Sequence, residues 1–219
     1  MCLIVIRAFK VMRTRAVVKK TVRKIIMEEG LTFEKLVQAY IDCRKRKRNT
    51  NNALEFEFYL EDNLLKLYDE LQSGRYKISK SICFIVLYPK AREVWAACFR
   101  DRIVHHLIYN EISGRFYNRF IKDTYSCIPE RGTTNALKAI RKYAQAVTNN
   151  YQETAYYLKA DLRNFFVSID KDVLYREVEK LVDEEWLLSL IKQVIYHDCK
   201  TSVEIRSARW KFDLSLIHI

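Results

Sequence analysis

Apolar positions recur at helical spacing along most of this chain. In "FEKLVQAYI", Phe33, Leu36, Val37, Tyr40 and Ile41 fall on one side of a helix. Leu54, Phe58, Leu65, Tyr68 and Leu71 repeat the pattern, and Ser73-Gly74 marks where that second helix stops. "SICFIVLYP" is rich in β-formers and ends at Pro89, so it reads as a strand. "REVWAACFRDRIVHHLIYNEI" begins extended and turns helical, with Val104, Leu107, Ile108 and Ile112 inward. "TTNALKAIRKYAQAV" predicts a helix capped by Thr133 or Thr134. "TAYYLKAD" alternates and then runs apolar, which predicts a buried strand ending at Asp161. Asp170 reads as the N-cap of a helix over "KDVLYREVEKLV", with Leu174, Val178 and Leu181 on one face. "EEWLLSLIKQVIYH" is a further helix. Many helices and few strands predict an α+β protein, helix-rich with a small antiparallel sheet.

Composition supports this reading. Only 4 Gly and 2 Pro in 219 residues leave few turns, so long helices follow. A hydrophobic fraction of 49% excludes a disordered chain. Cys2, Cys43, Cys83, Cys98, Cys127 and Cys199 form no C-x-x-C pair and no zinc spacing with His. They read as buried, reduced thiols of a cytoplasmic protein. "MCLIVI" is cut off by Arg7 and Lys10, too short for a signal or a membrane span.

Charge changes the picture more. The net charge is +12, and residues 1–50 hold 14 Lys/Arg against 4 Asp/Glu. The densest run is Arg44, Lys45, Arg46, Lys47 and Arg48. Cations at a helix end suit its dipole, but five in a row on so basic a chain favour contact with nucleic-acid phosphates.

Asp161 is the acid that packing does not explain. At the end of a buried strand its desolvation is costly unless a cation meets it. A tight "LRN" turn follows, then Phe165 and Phe166. Such a turn can offer backbone N–H groups to an anion, and a carboxylate beside it can hold Mg²⁺ together with substrate phosphates. That layout suits two-metal phosphoryl transfer.

"LKADLRNFFVSID" resembles the first catalytic-Asp motif of reverse transcriptases of the group II intron and retron lineage. "PKAREVWAACFRDRIVHHLIYNEI", "FIKDTYSCIPERGTTNAL" and "LTFEKLVQAYIDCRKRKR" are similar to one branch, the diversity-generating retroelement reverse transcriptases. The likeness runs over residues 31–210. It implies the fingers and part of the palm of a right-hand polymerase that copies template RNA. Asp161 would bind two Mg²⁺ ions (Mn²⁺ as an alternative), with the Leu162 carbonyl on one of them. Asn164 and Phe165 would offer N–H groups to the deoxynucleoside triphosphate, and Phe166 would be the steric gate against a ribose 2′-OH. Lys90 and Arg92 would grip the triphosphate. Arg100 and Arg102 would contact template or nucleotide, although they could equally ion-pair with Asp101 or Glu111, and Arg131, in a basic-Gly-Thr turn with Gly132 and Thr133, would lie near the template strand. His105 and His106 read as packing and hydrogen-bonding residues. The family also implies a small basic accessory protein as partner, primer or cDNA in the cleft, and no membrane.

Two departures qualify the likeness. Ile128-Pro129-Glu130 stands where the family is more basic, and no Tyr-any-Asp-Asp motif occurs. The division expected is a basic extension over 1–30 with a non-native start, fingers over 31–155 and partial palm over 156–213. Residues 214–219, "LSLIHI", match one reading frame of a sequencing adapter and are expected to be foreign. A chain lacking the second carboxylate motif is expected to be inactive alone. The alternatives are a retron or group II intron maturase reverse transcriptase, and a non-catalytic RNA-binding protein of the same fold.

Overall fold

A computed structural model describes residues 30–45, 50–88, 92–162, 165–201 and 203–205. In chain order the elements are α1 (Phe33–Arg44), α2 (Asn51–Phe58), α3 (Leu60–Gln72), β1 (Ser81–Val86), β2 (Arg92–Ala96) and α4 (Phe99–Tyr117). There follow α5 (Thr133–Val147), α6 (Phe165–Ser168), α7 (Lys171–Glu179), α8 (Glu185–Tyr196) and β3 (Val203–Ile205). The protein is thus α+β and helix-rich, as the periodicity predicts. It divides into two compact units, one up to Leu107 plus the residues from Asp198 on, the other Ile108–His197.

In the first unit the core gathers around Phe99. Thr32 caps α1, its Oγ1 accepting from the Lys35 N–H at 3.3 Å. Leu36, Ala39 and Cys43 then turn one buried face. The Tyr40 and Phe56 rings meet Phe99 edge-on at 6.4 and 5.5 Å. Such pairs add directional preference to the apolar burial. Leu67 of α3 and Ile103, Val104 and Leu107 of α4 are fully buried.

The second predicted helix is two helices. The chain breaks at Tyr59 (φ −122°, ψ 52°), which ends α2 and starts α3. The buried residues are Ala53, Leu64 and Leu67, while Leu54, Phe58 and Leu65 are more than half exposed. The apolar stripe seen in the sequence is therefore not the packed side. The stop at Ser73-Gly74 is as read: Gly74 takes φ +68°, the left-handed geometry that glycine tolerates after a helix.

The sheet has the order β2-β1-β3. β1 pairs antiparallel with β2, with Cys83 opposite Trp95, and parallel with β3, with Ser81 opposite Val203. The sheet is mixed rather than antiparallel, because β3 arrives from far along the chain instead of through a hairpin.

In the second unit Asp170 caps α7, its Oδ1 accepting from the N–H groups of Asp172 and Val173 at 2.9 and 3.0 Å. Val178 and Val182 are buried, as are Leu187, Leu190 and Ile191 of α8. Leu174, predicted inward, is 39% exposed. Arg115 grips the Glu184 carboxylate with both terminal nitrogens. The cap predicted at Thr133 or Thr134 is absent: Gly132 is the N-cap, and no side chain bonds there.

The largest departure is "TAYYLKAD". Residues 154–162 form no strand, and Tyr156, Tyr157 and Leu158 are 96, 91 and 92% exposed. The alternating pattern is real, but a strand needs a neighbour to complete its ladder. No described strand pairs with it. The cysteines divide likewise: Cys43 and Cys83 are buried, Cys98 and Cys199 half-buried, and Cys127 exposed, all five as free thiols.

Candidate functional site

Asp161 and Leu162 lie at the end of this exposed, strandless segment, just before α6. Both are exposed, Leu162 at 71%. The Asp161 carboxylate thus stands in solvent, not at the mouth of a buried strand. Phe165 begins α6 and is about half exposed. Phe166 follows in the same helix, where its backbone alone is described. Asn164 lies outside the described residues. Asp170, nine positions after Asp161, is occupied with its cap. Those two N–H donors hold its carboxyl below the usual carboxylate range. The two acids of the motif are thereby separated in role: one is committed to a helix end, the other is open.

Of the proposed triphosphate grip, Lys90 lies outside the described residues, and Arg92 opens β2 with only its backbone described. Arg100 is already engaged. It pairs with Glu70, reaches the Lys77 carbonyl at 3.2 Å and lies 3.3 Å from Asp101 Oδ1. The ion-pairing with Asp101 that the sequence left open is present, and Glu70 adds to it. Arg102 sets its guanidinium 6.0 Å from the Phe99 ring centre, and its Nε is buried without a hydrogen-bond acceptor. Arg44 pairs with Glu57, at 2.6 Å from NH2 to Oε2, and Lys45 with Asp42 at 2.6 Å. Arg46, Lys47 and Arg48 lie outside the described residues.

Arg131 sits in a tight turn. Ile128 and Arg131 form an isolated bridge, and Glu130 takes φ +63°. Arg131 NH1 donates to the Lys122 carbonyl at 3.2 Å. Asp123 braces the same loop against α5, accepting from the Tyr125 and Tyr143 hydroxyls at 2.8 Å each. Those bonds hold its carboxyl below the ordinary value. The turn is therefore a fixed platform for one cation, built from exposed polar groups.

A second constellation, unforeseen from sequence, surrounds Asp101. Its side chain is fully buried. It accepts from the Tyr76 hydroxyl at 2.9 Å, the Ser79 N–H at 2.8 Å and the Cys98 thiol at 3.1 Å. Burial, then the Asp101 charge, pushes the Tyr76 hydroxyl far above its ordinary pKa; burial likewise raises the Cys98 thiol. Both stay protonated and keep donating. The cluster clasps the segment after α3 to the start of α4, where Arg100 and Arg102 are carried. Its only sequence signal is an acid between two arginines, which does not distinguish a clasp from a surface pair.

Protein-family models match no part of the chain, and no curated protein matches it. Among the described residues no three His, Cys, Asp or Glu side chains group closely enough to hold a metal ion. A carboxylate at Asp161 and a carbonyl at Leu162 are the hard oxygen donors that Mg²⁺ takes, usually with water and substrate phosphates completing the set. The donors present fit one share of such a site.

Proposed function

We propose that this chain supplies the fingers and part of the palm of an RNA-directed DNA polymerase, of the kind found in diversity-generating retroelements. The observation that carries the reading is Asp161. It is an exposed carboxylate in a motif resembling the first catalytic-Asp motif, and it makes no hydrogen bond or ion pair with another described residue. Asp161 and the Leu162 carbonyl would hold Mg²⁺, which when bound offsets phosphate charge and favours attack by a primer 3′-OH. The N–H groups of Asn164 and Phe165 would orient the triphosphate, and Phe166 would exclude a ribose 2′-OH. Arg131, on its braced turn, would meet the template backbone.

The test is primer extension on an RNA template by the complete reading frame containing this chain. Asp161→Asn is expected to abolish extension while leaving RNA binding intact; extension that persists would sink the catalytic assignment. Phe166→Ala is expected to relax discrimination against ribonucleotides. The present chain is expected to bind RNA with an affinity that falls steeply with salt.

A further inference from the structure

We propose that the exposed face of α5 docks on the exposed face of α2 in a second copy of this chain. No residue of α5 is buried. Leu137, Ile140, Ala144 and Val147 recur at i, i+3, i+7 and i+10 of one unbroken helix, so they form a single stripe. Leu137, Ile140 and Val147 are 61, 63 and 66% exposed. Arg141, Lys138 and Lys142, all exposed, follow along one edge of the stripe. No acid occurs between residues 131 and 152, so these cations have no counter-charge on their own helix. An open apolar stripe ~15 Å long marks a surface that something covers.

Charge identifies the occupant. The complement of this stripe is an apolar helix face edged with carboxylates, and α2 carries one. Leu54 and Phe58 lie one turn apart on α2, 51 and 69% exposed, with Glu55 exposed beside them. Asn63 Nδ2 donates to the Phe56 carbonyl at 2.9 Å, which ties the first turn of α3 to the last turn of α2. Glu61 and Asp62, exposed in that first turn, therefore stand at the Phe58 end of α2. Residues 51–72 contain six Asp/Glu and one Lys, in a chain whose net charge is +12. Among the described residues Glu57, Asp69 and Glu70 are used in ion pairs with Arg44, Arg75 and Arg100. Glu55, Glu61 and Asp62 are left to meet Lys138, Arg141 and Lys142.

Other occupants fit less well. Two α5 faces brought together would set cations against cations. A lipid surface takes helices with bulky Trp, Phe or Leu on the apolar face. The one aromatic of α5, Tyr143, is instead tied by its hydroxyl to Asp123 at 2.8 Å. Ala144, between Ile140 and Val147, makes a low point in the stripe, a groove for a ridge bearing Phe58. Each copy carries both faces, so two copies can satisfy both contacts reciprocally.

The test is sedimentation velocity on the full chain, freed of RNA, over the micromolar range. The parent is expected to associate reversibly, and less so at high salt. One variant combines Lys138→Glu, Arg141→Glu and Lys142→Glu; the other combines Glu55→Lys, Glu61→Lys and Asp62→Lys. Each alone should weaken association at least about tenfold, the sum of three modest exposed charge pairs. Mixing the two should restore it, because a mixed pair sets opposite charges together at both contacts. That restoration separates lost docking from lost folding. Phe58→Ser should weaken association with helix content by circular dichroism unchanged. A parent that stays monomeric would overturn the proposal, and one that instead floats with phosphatidylserine vesicles through α5 would reassign the face to a lipid surface. Charge variants that associate as the parent does, or a mixture that stays monomeric, would overturn it as well. None of these outcomes depends on the polymerase reading.

Discussion

Two aspartates divide this molecule by how their carboxylates are served. Asp101 is sealed in the first unit, with a hydroxyl, a backbone N–H and a thiol donating to it. Asp161, in the second, stands at the end of an exposed stretch with nothing described bonding to it. A buried carboxylate is tolerable only when its partners are complete, and each partner then loses its own bond if the acid is removed. An exposed one costs little to keep and little to lose. Structural acids are therefore expected to appear in stability measurements, and working acids in activity alone.

Mutation can break this comparison. Asp101→Ala removes the buried acceptor of the Tyr76 hydroxyl, the Ser79 N–H and the Cys98 thiol and leaves Arg100 with less counter-charge. It is expected to cost about 3–5 kcal/mol in urea unfolding. Asp161→Asn is expected to stay within about 0.5 kcal/mol of the parent. Equal losses from the two would erase the distinction. Leu67→Ala, in the fully buried part of α3, should cost about 2–5 kcal/mol. Leu137→Ser on α5, where the side chain is 61% exposed, should cost well under 1 kcal/mol.

A smaller effect sharpens the picture through pH. Hydrogen bonding to Arg115 pulls the Glu184 carboxyl down to about 2. Unfolded, a Glu titrates near ~4.3. The pair therefore adds stability above that unfolded value, and the gain disappears as pH falls towards 2. Both side chains are about a third exposed, so solvent screening holds the contribution under about 1 kcal/mol. Arg115→Gln is expected to flatten the acid limb of a stability–pH profile in that window. An unchanged slope would remove the pair from the account.

What could be read in advance followed from local rules. Helical periodicity located α1, α5, α7 and α8, and capping chemistry located Asp170 and the Gly74 stop, because each depends on neighbours within a few residues. Apart from the cap expected at Thr133 or Thr134, which fell on Gly132, the misreadings depended on distant partners. The stripe at Leu54, Phe58 and Leu65 has the same periodicity as a core face, and only tertiary packing decides that Ala53, Leu64 and Leu67 go inside. Tyr156, Tyr157 and Leu158 have a strand's pattern without a strand's neighbour. Around Asp101, the donors come from residues 76, 79 and 98, so no window of sequence contains the clasp. For the site, the Asp170 helix cap and the option of an Arg100–Asp101 pair were legible, whereas the exposure of Asp161 and the Glu70 and Glu57 partners of Arg100 and Arg44 were not.

The parallel pairing of β1 with β3 has a consequence for synthesis. The β1–β2 hairpin closes from neighbouring residues, but Ser81 waits for Val203 before the other edge of β1 is covered. At typical elongation rates that wait is on the order of ten seconds. Throughout it, the nascent chain presents an unpaired strand edge beside Ile82 and Cys83, the kind of edge on which copies pair wrongly. Slower translation of the intervening helices would lengthen that exposure, and a charged residue on the β1 edge would guard it.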